Sequence, residues 1–202
     1  MSNEILIYDA IGPAWAGMVD DKTFVDQLNS FGGKDVTIRV NSPGGDVFMA
    51  SAMYNAIDRY QGKVTVSIDA LAASAASYLI LAADEVVAAK NAMIMVHKPL
   101  AMTWGNALDH QKTIDVLDKA EATLIGMYSD KTGKPVDEIA AALEAETWFT
   151  AQEAKDWGII DRVGGVSSVT AQVPDGMFNK TPSNLLVQPV ARHKKAVAKK
   201  FV

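Results

Sequence analysis

The chain has 202 residues, 49% of them hydrophobic and 21% charged, with a formal net charge of −5 and no cysteine. That length supports one well-buried core and excludes two ordinary domains, and the composition excludes disordered and fibrous classes. Without cysteine there is neither a disulfide nor thiolate chemistry, so a reducing compartment, the cytoplasm, is the default expectation.

Met1 to Tyr8 carries Glu4 inside a short alternating apolar run, which reads as a strand and not a signal peptide. No stretch reaches the roughly 20 apolar residues of a membrane helix, and the Ala-rich segment at 70–83 ends at Asp84 and Glu85. Asp20 or Asp21 caps a helix with Phe24, Val25 and Leu28 on one face, stopped by Gly32-Gly33. Val36 to Val40 alternates as a strand and enters a Pro-Gly-Gly turn, followed by a helix over 47–60 with Met49, Met53 and Ile57 at helical spacing. Val64 to Ile68 is the next strand, and Ser74 to Ala83, apolar on every face, reads as a buried helix. Strands over 86–88 and 93–97 follow, then a long helix from Gly105 to about Lys131. Gly133 and Pro135 end it, and helices over 136–146 and 151–157 lead through Gly158 to a strand over 159–163. Alternating strands and helices of this kind argue for an α/β fold with parallel strands. One domain is expected over 1–173. The remainder, 174–202, with Arg192, Lys194, Lys195, Lys199 and Lys200 after the last acid Asp175, reads as a basic, flexible tail.

Four places carry chemistry. Asn41-Ser42-Pro43-Gly44-Gly45-Asp46 joins a strand to a helix, and its adjacent glycines let backbone N–H groups approach a ligand in the positive field of a helix start. An ordinary capped turn would carry the same residues. In Ala72-Ala73-Ser74-Ala75-Ala76-Ser77 a serine stands at a strand-to-helix junction with the Ala75 amide free to donate, although Ser74 could equally be a cap. Ser77, one turn into the helix, can return its hydroxyl to a backbone carbonyl and is read as structural. His97 ends an apolar strand, where it can act as a general base or simply pack; His110 and His193 lie in polar surroundings. Glu146, before Thr147-Trp148-Phe149, can orient an imidazole, with Glu138, Glu144 and Glu153 as alternatives nearby.

In this order the blocks resemble the ClpP family of serine peptidases, and within it the phage head-maturation, or prohead, proteases. The resemblance spans about residues 4–165. It is carried by Val40-Asn41-Ser42-Pro43-Gly44-Gly45, Ala72-Ala73-Ser74, Met95-Val96-His97-Lys98-Pro99-Leu100, and Trp148-Phe149-Thr150-Ala151-Gln152-Glu153-Ala154 running to Gly158-Ile159-Ile160-Asp161. It implies a spiral of ββα units shared with the crotonase superfamily, the long helix forming a handle between rings. It also implies Ser74 as nucleophile, His97 as base, and the Gly45 and Ala75 amides as oxyanion hole, with Gly44 and Asp46 beside the substrate strand. The family's third member is aspartate; Glu146 stands at the matching position. The opening Ile5 to Gly12 and the Glu146-Thr147-Trp148 block look like the phage branch. The first strand begins almost at Met1, where ClpP has a longer leader serving an ATP-driven unfoldase. The resemblance therefore implies an ATP-independent endopeptidase cleaving scaffold or capsid protein in the host cytoplasm or an assembling phage head. It implies a homo-oligomer, a heptameric ring or two stacked, with no metal or cofactor, no membrane and no nucleic acid as partner. An unfoldase-dependent peptidase, a crotonase-type enzyme of acyl-CoA thioesters and a catalytically silent assembly factor are the alternatives.

Overall fold

The computed structural model describes residues 3–165 and 167–187. Five strands run parallel in the order β1 (Glu4–Ile7), β2 (Val36–Ser42), β3 (Val64–Ala73), β4 (Glu85–Ala88) and β7 (Arg162–Val163). β2 buries every second residue, as a strand with one face on a core must. β3 alternates only as far as Ile68 and is buried throughout from Asp69 to Ala73.

That change of pattern marks a change of neighbours. Thr65 to Ile68 pair with β4, whereas Leu71 to Ala73 pair with β5 (Met93–Val96). On the other edge the β2 register jumps from Val40↔Ile68 to Ser42↔Ala72, so β3 carries extra residues there and bends out of the main sheet. β6 (Thr147–Thr150) adds antiparallel to β5, completing a small second sheet from β3, β5 and β6.

Helices cover the sheets: α1 (Asp21–Ser30), α2 (Val47–Asp58), the short α3 (Ala75–Leu79), α4 (Ala107–Thr132), α5 (Val136–Glu144) and α6 (Ala151–Trp157). α4 starts in a capping box of Asn106 and Asp109 and ends at Gly133, whose φ of 69° is the left-handed stop that glycine takes without strain. The main core lies where Phe24, Leu28, Met53 and Ile57 meet Ile38, Val40 and Ile68. A second apolar cluster joins Leu71, Ala73 and Met95 to Val173 and Leu185. Among the described residues no helix is long and apolar enough to cross a membrane.

Several sequence expectations need correction. The strand expected over 159–163 is confined to Arg162–Val163, and the buried helix expected over 74–83 is α-helical only over Ala75–Leu79, with a 3-10 turn over Ile80–Ala82. The strand expected over 64–68 runs on to Ala73. The helix expected over 136–146 stops at Glu144, and residues 147–150 form β6. The flexible tail expected from 174 is instead laid against the body as far as Val187: the Val173 N–H donates to the Leu185 carbonyl at 2.8 Å, and the Val187 N–H to the Val173 carbonyl at 3.0 Å. Apolar burial of Val173 and Leu185 holds this segment. The basic residues Arg192 to Lys200 lie outside the described residues.

Candidate active site

Strand register alone brings the candidate residues together. Ala73 pairs with Met95, so the residue after β3 meets the end of β5, and the Ser74 N–H donates to the Met95 carbonyl at 2.9 Å. Val96 pairs with Thr147 in the antiparallel β5–β6 ladder, so His97 and Glu146 stand at the next register position. Ser74, His97 and Glu146 thus converge from the ends of three adjacent strands.

Ser74 Oγ lies 2.7 Å from His97 Nε2. Of the described residues other than glycine, Ser74 (φ 53°) and Glu146 (φ 48°) alone have positive φ. Such conformations cost about 1–3 kcal/mol and concentrate where geometry is imposed for function. Ser74, at ψ −126°, makes a sharp strand-to-helix turn directly before α3. Ser77 is buried and donates to the Ser74 carbonyl at 2.6 Å, with its oxygen also 2.6 Å from Tyr128 Oη, so its hydroxyl is committed to packing the turn.

The glycine turn abuts this serine. A Cβ on Gly44 would sit 2.5 Å from the Ala73 carbonyl oxygen and 2.7 Å from the Ala75 nitrogen, and one on Gly45 2.0 Å from the Ile11 carbonyl oxygen. Both glycines have positive φ, so these positions exclude any side chain. Among the described residues neither the Gly45 nor the Ala75 N–H donates to a protein acceptor. Asp46 Oδ1 accepts from the Phe48 and Met49 N–H groups and caps α2.

Beside Ser74 and His97 opens a cavity of about 340 Å³, walled by Tyr78, Leu100, Leu124, Tyr128, Met177 and Phe178. Phe178 packs edge-on against His97, ring centroids 5.4 Å apart, and against Trp148 at 5.9 Å. Burial pushes the His97 imidazole below its ordinary value, and the negative charge of Glu146 opposes that shift. Burial pushes Glu146 up, but the Lys180 and Asn179 amides, the Trp148 indole and His97 together bring it below the usual carboxylate range. Asn179 N–H donates to Oε2 at 2.8 Å, Lys180 N–H to Oε1, and Trp148 Nε1 to Oε1 at 3.3 Å. Glu146 acts on His97 through its charge; its hydrogen bonds go to these donors.

The alternative acids are occupied elsewhere: Glu138 pairs with Lys134, Glu144 with Lys98, and Glu153 caps α6 through Thr150. His110 is exposed on α4, and His193 lies outside the described residues. Sequence reasoning missed Met177 to Lys180, which lie far along the chain in a stretch without periodicity.

The fold is a mixed α/β core with a parallel-rich sheet, and at one strand end it holds a serine at positive φ, a histidine in contact with it and a glycine turn alongside. The Clp protease family matches residues 5–167, and the chain belongs to that family. It is 33% identical over 133 residues to an ATP-dependent Clp protease proteolytic subunit of Bacteroides fragilis, covering 65% of this chain and 64% of the relative. Over 166 residues it is 34% identical to proteolytic subunit 1 of Protochlamydia amoebophila, 80% of each chain, and over 143 residues 32% identical to proteolytic subunit 3 of Rhodococcus jostii, 70% of each. The chain thus spans slightly less than two thirds of the Bacteroides relative's length.

Proposed function

We propose that the protein is a serine endopeptidase in which Ser74 attacks the scissile carbonyl, His97 takes its proton, and Glu146 stabilises the resulting imidazolium. The observation that carries this is the 2.7 Å Ser74–His97 contact on a serine held at positive φ. An extended substrate lies along the Gly44–Asp46 turn. As the tetrahedral intermediate forms, the Gly45 and Ala75 N–H groups receive its oxyanion, a contribution of about 3 kcal/mol per donor. His97 returns its proton to the leaving amine, which departs and leaves an acyl-enzyme on Ser74. His97 then deprotonates a water, whose attack releases the acid product and restores the Ser74 hydroxyl.

The finer reading is an ATP-independent, ring-forming peptidase of the cytoplasm or an assembling phage head, cleaving scaffold or capsid protein. The Ile5–Gly12 and Glu146–Trp148 blocks support it through their likeness to the prohead branch. The second reading, a peptidase fed by an ATP-driven unfoldase, is favoured by the relatives from Bacteroides, Rhodococcus and Protochlamydia, which are named proteolytic subunits of an ATP-dependent Clp protease. Incubation of the purified protein with unfolded casein and with purified scaffold and capsid proteins, with and without an unfoldase and ATP, separates them. Discrete cleavage of scaffold or capsid protein without ATP, lost in Ser74→Ala, is the expected result. Turnover of folded substrates that requires the unfoldase and ATP would favour the second reading.

A further inference from the structure

The family match ends at residue 167, yet three consecutive residues beyond it reach the reacting groups. The segment from 174 to 182 is a loop closed at its base by the Val173–Leu185 and Val187–Val173 hydrogen bonds. Val173 and Leu185 are buried against Leu71, Ala73 and Met95, so the base is built into the second apolar cluster. From that base the tip presents Phe178 to His97 and Trp148, and the Asn179 and Lys180 amides to the two oxygens of Glu146. The Lys180 ammonium donates to the Ala145 carbonyl, tying the tip to the residue before Glu146.

We propose that residues 178–180 are a positioning device for the catalytic site: the Asn179 and Lys180 amides fix the Glu146 carboxylate, and the Phe178 ring fixes the His97 imidazole. This rests on the triad reading above. The physical need is specific. A glutamate has three side-chain torsions to immobilise, and no hydrogen bond to His97 does it here, so the orientation must come from other donors. Backbone amides on an anchored loop supply it at no cost in side-chain entropy, and they favour the ionised form that supports an imidazolium. Phe178 packs against the His97 ring in a T-shaped contact at the wall of the cavity that both residues line, which limits rotation of the imidazole. The charges around the pair leave Glu146 as the group acting on His97: the Lys180 ammonium is turned to Ala145, and Lys98 to Glu121 and Glu144.

The test is steady-state kinetics of the full chain on a short fluorogenic peptide across pH, for wild type, Asn179→Pro and Lys180→Pro, each of which deletes one amide donor, and for Phe178→Ala and Phe178→Leu. Oligomer size and Tm are followed in parallel, and Phe178→Leu serves as the variant that keeps an apolar side chain in place. The expected result is a kcat lowered about tenfold or more with KM nearly unchanged in the proline variants and in Phe178→Ala, and largely restored in Phe178→Leu. The ascending limb of the proline variants' pH profile should also move to lower pH, because a loosened carboxylate raises the His97 pKa less. Wild-type kcat and pH profile in all four variants would overturn the proposal, leaving the loop as packing only. A raised kcat with the limb moved to higher pH would overturn it in the other direction, making the loop a restraint on Glu146. A wild type that neither turns over peptide nor labels at Ser74 with a fluorophosphonate would overturn the triad reading and this inference together.

Discussion

Ser74 was legible as a hydroxyl between an apolar strand and an apolar helix, where a helix cap and a nucleophile read alike; the resemblance of the four blocks to the ClpP family is what chose between them. The structure adds the strained backbone, which no sequence pattern announces. His97 was legible as the residue ending the run Met93 to Val96. Its pKa has a direct consequence. Burial penalises the imidazolium, so the neutral, base-competent form persists to lower pH, and the ascending limb of kcat/KM is expected below the ordinary value of 6.5; a midpoint above 6.5 in a pH–rate profile would contradict this. Glu146→Gln removes the charge that raises His97, so activity should fall tenfold or more, as for the orienting acid of other serine triads, and the limb should move lower still. Glu146 also links stability to pH. Its folded pKa is lowered, so its contribution is fully present above the unfolded value of 4.5 and lost as pH falls through the folded one, which chemical denaturation of wild type and Glu146→Gln at several pH values would resolve. Tyr128→Phe should cost about 1 kcal/mol in the same assay through the lost contact with Ser77, with fluorophosphonate labelling of Ser74 retained.

At the scale of elements, helix ends with chemical stops were readable. The long helix expected from Gly105 to about Lys131 is α4, Ala107–Thr132, bounded by the Asn106 cap and Gly133. The C-terminal half of β3 was not readable, because Ala70-Leu71-Ala72-Ala73 has neither alternation nor β-branched residues; it is a strand only because β2 and β5 flank it. β6 has four residues and no clear inside–outside alternation, so the register that places Glu146 opposite His97 was invisible in sequence. The 174–187 segment reads as a tail because its composition lacks a period; the buried anchors Val173 and Leu185 hold its base, and contacts of Phe178, Asn179 and Lys180 hold its tip. The glycine turn offers a test at this scale. A Gly45→Ala side chain would collide with the Ile11 carbonyl in a backbone conformation that L-residues rarely adopt, so the variant should lose several kcal/mol in urea unfolding, or fail to fold.

For the whole molecule, ring assembly is the expectation inherited from the family resemblance, and a run of exposed apolar residues close together in sequence offers a surface for another copy. Leu100, Met102, Trp104 and Leu108, before and at the start of α4, are largely exposed, Trp104 at 98%. Native mass spectrometry should find a ring or stacked rings for wild type and smaller species for Trp104→Asp combined with Met102→Asp; a monomeric wild type would contradict assembly. The central claim, that Ser74 is the nucleophile activated by His97, is tested most directly by fluorophosphonate labelling with the modified peptide mapped by mass spectrometry. Labelling at Ser74 that disappears in Ser74→Ala, survives Ser77→Ala and is strongly reduced in His97→Ala is the predicted result. Absence of labelling on correctly folded, assembled protein, or labelling at another serine, would contradict it.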